Sequence, residues 1–190
     1  MKNLKYKLAL IIGRFQPFHI GHKEIVDAAL KCSDRVLILV GSAQEHGTVQ
    51  NPLSYTFRTQ IIKTVYQNEI RDNKLIIYPL ADMEIGNNSA WGNYIINYIK
   101  DNIWCTPDVF ISVVEIRRDN WFADFENIKC IQVRKTIDIS ATKVREMFKM
   151  AKDDKELQNI AHFVPLSDLS ILKQIKKYID SATATNTKSV

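Results

Sequence analysis

Cysteine is scarce in this chain: Cys32, Cys105 and Cys130 are the only three in 190 residues. Their wide spacing and odd number exclude a disulfide framework and any paired-cysteine metal motif. Free thiols of a reducing compartment are the expectation. Long apolar runs are also missing. None approaches the roughly 18–20 residues of a membrane-crossing helix, and Leu8–Ile12 is too short for the core of a signal peptide. Basic blocks and rows of interleaved aromatics are absent too, although 26 Lys and Arg against 21 acidic residues give a net charge of +5. Scattered charge of this kind suits a small anionic ligand better than a nucleic acid. No internal repeat occurs, and 46% apolar residues suffice for a real core.

What is present alternates. Lys7–Ile12, Arg35–Val40, Leu75–Leu80, Val109–Val114 and Lys129–Val133 are short runs rich in Ile, Val and Leu without polar alternation, as in strands buried on both faces. Between them, Gly21–Cys32, Ser54–Gln67 and Trp91–Ile103 carry helical periodicity. The order predicts an α/β, Rossmann-like, doubly wound parallel sheet of about five strands, with ligands beyond the carboxyl ends of the strands. After Ile139 the pattern turns helical, with Ser140 and Asp168 as caps for helices running to Lys149 and Tyr178. A single domain over 1–180 is expected, its helical C-terminal part over 141–180, followed by a disordered polar tail over 181–190.

The first strand-to-helix junction reads Gly13-Arg14-Phe15-Gln16-Pro17-Phe18-His19-Ile20-Gly21-His22. Gly13 permits close backbone approach, and Gly21 opens a helix whose dipole favours anions. His19 and His22, three apart, share a face, and Arg14 brings a forked donor set suited to phosphate. Such a cradle fits phosphoryl chemistry, where positioning and charge stabilisation dominate. A metal site is the competing reading, but no third ligand stands at the right spacing, and Glu24 would point elsewhere. A structural histidine pair is the bland alternative.

This decapeptide resembles the GRFQPFHxGH signature of nucleotidyltransferases in the HxGH superfamily. The Arg and Gln form is most similar to archaeal-type nicotinamide-nucleotide adenylyltransferases, a family that includes bacterial bifunctional relatives fused to a Nudix domain. Gly41-Ser42-Ala43-Gln44 is similar to the same family. Asn51-Pro52-Leu53-Ser54-Tyr55-Thr56-Phe57-Arg58 resembles its NPFxxxxR stretch, departing at Leu53 and Tyr55. Ile139-Ser140-Ala141-Thr142-Lys143-Val144-Arg145 resembles the superfamily's ISxTxxR signature. Glu84-Ile85-Gly86-Asn87-Asn88-Ser89-Ala90-Trp91 is similar to the family's Asn-rich nicotinamide loop. Amides there suit a carboxamide, and a tryptophan face suits a cationic pyridinium. Glu115–Glu126, with Arg117-Arg118-Asp119-Asn120, matches no family pattern; the resemblance implies that this part lies near the adenine and ribose side, and its arginine pair reads equally as a solvated turn.

The resemblance implies a transferase of NAD biosynthesis that moves AMP from ATP to nicotinamide mononucleotide, giving NAD and pyrophosphate. His19, His22 and Arg58 are the implied catalytic residues. Gly13, Arg14, Phe15, His19, His22, Ser140, Thr142 and Arg145 would bind ATP and its phosphates, and Asn87, Asn88 and Trp91 the mononucleotide. Trp104 and Trp121 are read as structural. Mg²⁺ is expected to arrive with ATP, held by no protein side chain. Expected partners are ATP, nicotinamide mononucleotide and NAD, with no nucleic acid and no membrane, in a cytoplasmic protein that can form a homo-oligomer. The alternatives are a sister enzyme acting on pantetheine phosphate or flavin mononucleotide, and a nucleotide-binding regulator without turnover.

Overall fold

A computed structural model describes residues 6–83, 89–103, 105–114 and 118–186. All five apolar runs become strands: β1 (Tyr6–Gly13), β2 (Ser33–Val40), β3 (Leu75–Pro79), β4 (Val109–Val113) and β5 (Lys129–Val133). They form one parallel sheet in the order β3-β2-β1-β4-β5, with Leu10 of β1 paired to Leu37 on one side and Phe110 on the other. Alternating side chains of β1 enter different cores. Ala9 and Ile11 join the cluster that also holds residues of α1 (Ile20–Cys32), α2 (Tyr55–Val65) and the C-terminal helices. Leu8, Leu10 and Ile12 join the cluster under α4 (Ser89–Ile103). Burial on both faces is why the central strands β1, β2 and β4 read as unbroken apolar runs, while the edge strands β3 and β5 are only partly buried.

The chain moves outward from β1 through β2 to β3, then returns to lay β4 on the other side of β1. This reversal opens a crevice outside the carboxyl ends of β1 and β4, where doubly wound sheets bind ligands. Gly13 and Val113 end their strands at that crevice.

Helix boundaries follow local chemistry. Ser54 caps α2 by accepting from the Phe57 N–H at 3.2 Å, and Ser140 caps α5 (Ala141–Met150) by accepting from the Lys143 N–H at 3.2 Å. The expected helix to Gln67 instead breaks at Tyr66, and a short α3 (Gln67–Arg71) follows. The buried Tyr66 ring turns inward, and its hydroxyl donates to Asp27 at 2.9 Å, so the helix gives way to that anchor. A helix absent from the sequence reading, α6 (Asp154–Ile160), starts from Asp153, which accepts from the Glu156 N–H, while Glu156 accepts from the Lys152 N–H.

The tail needs correcting. Helix α7 (Leu169–Asn186) runs past residue 181, where disorder was expected. Its buried positions Leu172, Ile175, Ile179 and Ala182 continue one helical stripe. The alanines that made the segment look like a small, polar tail are good helix formers. Residues 187–190 lie outside the described residues. Among the described residues no helix is long and apolar enough to cross a membrane.

Candidate active site

The β1–α1 turn is built before any ligand enters. Phe15 takes a left-handed backbone (φ 53°) and buries its ring against Gly13, where a β-carbon would lie 2.9 Å from that ring. The space freed by Gly13 therefore serves Phe15 packing, and Phe15 contributes to the site from the core side. Gln16 is buried and bonds reciprocally to the backbone of Leu53, with Nε2 donating to its carbonyl and Oε1 accepting from its N–H, both at 2.9 Å. That ties the first motif to the 51–54 loop.

His19 caps α1 from an extended backbone, and its N–H donates to His22 Nδ1 at 3.3 Å. The rings stack with centroids 3.7 Å apart. Because His22 Nδ1 accepts, its proton in the neutral ring sits on Nε2, which makes that nitrogen a donor. Burial, then the field of Lys135, pulls His19 down to about 4. Burial, His19, Lys135 and Arg118 hold His22 well below the usual imidazole range. Both rings are thus neutral near pH 7. Gly21 makes this packing possible: a β-carbon would lie 3.0 Å from Ile139 and 3.1 Å from both His19 and Lys135.

All eight residues expected at ATP and its phosphates, from Gly13 through Arg145, line one cavity of about 260 Å³. Helix α5 presents its N-terminus there with Thr142. Arg145 donates to the Gln16 carbonyl at 2.9 Å and to Thr142 Oγ1 at 3.3 Å. Lys135, Arg118 and Arg14 complete the charge, and no carboxylate is among the lining residues. Burial and repulsion from Arg14 lower the Arg145 and Arg118 pKa values, that of Arg118 to about 10. A cavity walled by mutually repelling cations favours a polyanion.

A second cavity of about 340 Å³ adjoins the first, and Ile12, Gly13, Arg14 and Arg118 line both. Trp91 lines it with Trp121, their rings 6.0 Å apart and edge to face. Asp82 also lines it, its carboxylate accepting from the Ser42 hydroxyl. Asn87 and Asn88, expected beside Trp91, lie outside the described residues, as does Trp104.

Arg58, expected among the catalytic residues, lies away from both cavities. It is fully buried and spends its guanidinium on backbone carbonyls: Arg14 at 2.7 Å, Gly41 at 2.8 Å, Ser42 at 2.9 Å and Ser54 at 3.4 Å. It clamps the ends of β1 and β2 to the start of α2. An arginine one turn inside a capped helix looks free in sequence, and only the fold brings those carbonyls around it. Arg118, Lys135, Trp121 and Asp82 were missed. The usable signal was position: Arg118 and Trp121 follow the carboxyl end of β4, Lys135 that of β5, and Asp82 that of β3.

Residues 10–147 match the cytidylyltransferase-like family, and the chain belongs to it. It is 41% identical over 92 residues to a nicotinamide-nucleotide adenylyltransferase of Ignicoccus hospitalis, covering 48% of this chain and 53% of that protein. A protein of the same name from Thermoplasma volcanium is 29% identical over 160 residues, 84% of each chain. The fold is similar, with a TM-score of 0.74 and 22% identity, to a bifunctional NMN adenylyltransferase/ADP ribose pyrophosphatase from Francisella tularensis solved with AMP and a Mn ion. That superposition covers 96% of this chain and 53% of the other. The matched region thus spans about half the length of the Ignicoccus and Francisella proteins.

Proposed function

We propose that this chain transfers an adenylyl group from ATP to nicotinamide mononucleotide, giving NAD and pyrophosphate. The observation that carries the reading is the pair of cavities meeting at Arg14 and Arg118. One is walled by cations and a helix N-terminus, the other by two tryptophans. A triphosphate suits the first, and a phosphorylated pyridinium nucleoside suits the second, with its cationic ring against an aromatic face. The names of the Ignicoccus and Thermoplasma relatives support the choice of acceptor.

In this reading an oxygen of the acceptor phosphate attacks the α-phosphorus of ATP. The new P–O bond forms as the bond from the α-phosphorus to its bridging oxygen breaks, and pyrophosphate leaves with that electron pair. The attacking oxygen is already anionic near neutral pH, so no protein base is needed. His22 Nε2–H and the His19 ring are the donors aimed at charge growing on the α-phosphate, an interaction strongest in the transition state. Arg14 and Arg145 neutralise the phosphates, with Ser140 and Thr142 at the α5 N-terminus. Gly13 and Phe15 shape the turn that holds Arg14. Trp91 receives the pyridinium ring, and Asn87 and Asn88 remain proposed partners of its carboxamide.

Mg²⁺ is proposed to enter with ATP, where it would spread phosphate charge. In this reading phosphate oxygens and water would be its ligands. A cytoplasmic setting belongs to the same reading, supported by three free thiols.

The test is purified protein with ATP, Mg²⁺ and a panel of phosphorylated acceptors, following pyrophosphate and the dinucleotide product. Turnover with nicotinamide mononucleotide above all others is expected. Turnover only with pantetheine phosphate or flavin mononucleotide would replace the acceptor. ATP binding without turnover on any acceptor would replace the enzyme with a regulator.

A further inference from the structure

The resemblance implies a catalytic role for Arg58 beside the phosphate-binding Arg14 and Arg145, but its guanidinium is engaged with four backbone carbonyls away from both cavities. A different arginine stands where the third charge is needed. We propose that Arg118 binds the phosphate of the acceptor nucleotide at the junction of the two cavities. The proposal rests on the two-substrate reading above and names the residue that holds the attacking group.

Three observations converge on it. The first is place. Arg118 lies just past the carboxyl end of β4, on the switch-point side of the sheet, and lines both cavities. Of the other cationic side chains lining either cavity, only Arg14 shares that position. An in-line transfer brings two phosphates together at one point, so a cation common to both chambers faces both.

The second is mounting. Arg118 Nη1 donates to the Ile12 carbonyl at 2.7 Å, fixing one tip of the fork to β1. Its guanidinium carbon lies 4.8 Å from the centroid of Trp121, which holds the plane by cation–π attraction. Trp121 sits in the 3₁₀ turn Asp119–Phe122, pressed onto α4 so closely that a β-carbon on Gly92 would fall 1.5 Å from the Trp121 carbonyl oxygen. Gly92 therefore docks the turn, the turn carries Trp121, and Trp121 carries the arginine. A guanidinium held this way loses little further freedom on gripping an oxyanion.

The third is an unmet electrostatic need. Arg118 is half-buried beside Arg14, and no ion pair to it occurs among the described residues. Arg58, by contrast, has its donors on four carbonyls. A partly desolvated cation facing a like charge is costly until an anion sits between them. The phosphate of the acceptor is such an anion.

The test compares Arg118→Met, which keeps an apolar stem on Trp121, with Arg118→Lys, which keeps the charge. Binding of nicotinamide mononucleotide and of its dephosphorylated nucleoside is measured for each variant and for the wild type by calorimetry, with a non-hydrolysable ATP analogue present. Wild-type protein should bind the phosphorylated ligand more tightly. Arg118→Met should weaken that ligand by about 10- to 100-fold while changing the nucleoside less than about threefold, as expected for losing one charge-assisted contact to phosphate. Arg118→Lys should recover part of the difference. Equal weakening of both ligands would mean a structural role and overturn the proposal, as would unchanged binding of the mononucleotide. Turnover assayed alongside separates the two claims. A wild-type protein that shows the phosphate-dependent difference without making dinucleotide retains Arg118 as the phosphate contact and loses the adenylyl-transfer reading.

Discussion

Histidine and arginine take opposite routes to usefulness in this site. His19 and His22 are kept neutral by burial and by surrounding cations, so each offers a single N–H. His19→Ala should therefore lower kcat at least about 100-fold, the usual cost of removing a preorganised donor; a steady-state rate near wild type would remove His19 from the chemistry. The same neutrality carries a pH cost. The folded pKa of His19, about 4, lies below the unfolded value of 6.5, so protons bind the unfolded chain first. Its contribution to stability is complete above pH 6.5 and is lost as pH falls toward 4, by up to about 3 kcal/mol. Melting curves of wild type and His19→Gln from pH 7.5 to about 4.5 read this directly, and the wild type should lose more stability than the variant across that window. Parallel losses would contradict it.

Arg58 and Arg14 make the converse pair. Arg58→Met strands carbonyls of Arg14, Gly41 and Ser42 in a buried place, and should cost about 3 kcal/mol or more in thermal or denaturant unfolding. Arg14 is exposed and lines both cavities, so Arg14→Met should leave the unfolding midpoint within a degree or two while raising KM for ATP about tenfold or more. A large stability loss in Arg14→Met would reverse these assignments.

Among the elements, the central strands β1, β2 and β4 were legible because both faces are covered, while the less buried edge strands β3 and β5 still carried their apolar runs. Ser54 and Ser140 announced helix starts through cap chemistry. Helix α6 carried a readable signal, Asp153 followed three residues later by Glu156, on a segment too polar to attract notice. Arg58 and Arg118 could not be separated from sequence. One is neutralised by carbonyls from residues 14, 41, 42 and 54, the other is exposed to the cavities by strand order, and neither fact is local. Gly92 belongs with them: a glycine inside a helix says only that something comes close, here the Trp121 backbone. Gly92→Ala should push the 3₁₀ turn off α4, lowering the melting temperature and weakening the mononucleotide more than ATP. Equal effects on both ligands in a binding titration would deny the turn its place in the acceptor wall.

At the scale of the whole molecule, the reversal of strand order between β1 and β4 gathers motifs from residues 13–22, 118–121 and 135–145 at one edge. The net charge of +5 is spread over the surface, yet the phosphate cavity concentrates Arg14, Arg118, Lys135 and Arg145 without a carboxylate. The proposed adenylyl transfer would use that arrangement, with a polyphosphate in the first cavity presenting its α-phosphorus to a phosphate held at Arg14 and Arg118. The most direct measurement follows the phosphorus itself. ATP labelled at the α-phosphorus is incubated with the protein, Mg²⁺ and nicotinamide mononucleotide, and the products are separated. The account predicts the label in the dinucleotide and unlabelled pyrophosphate in equal amount; label left in free AMP or ADP, with no dinucleotide formed, would contradict it.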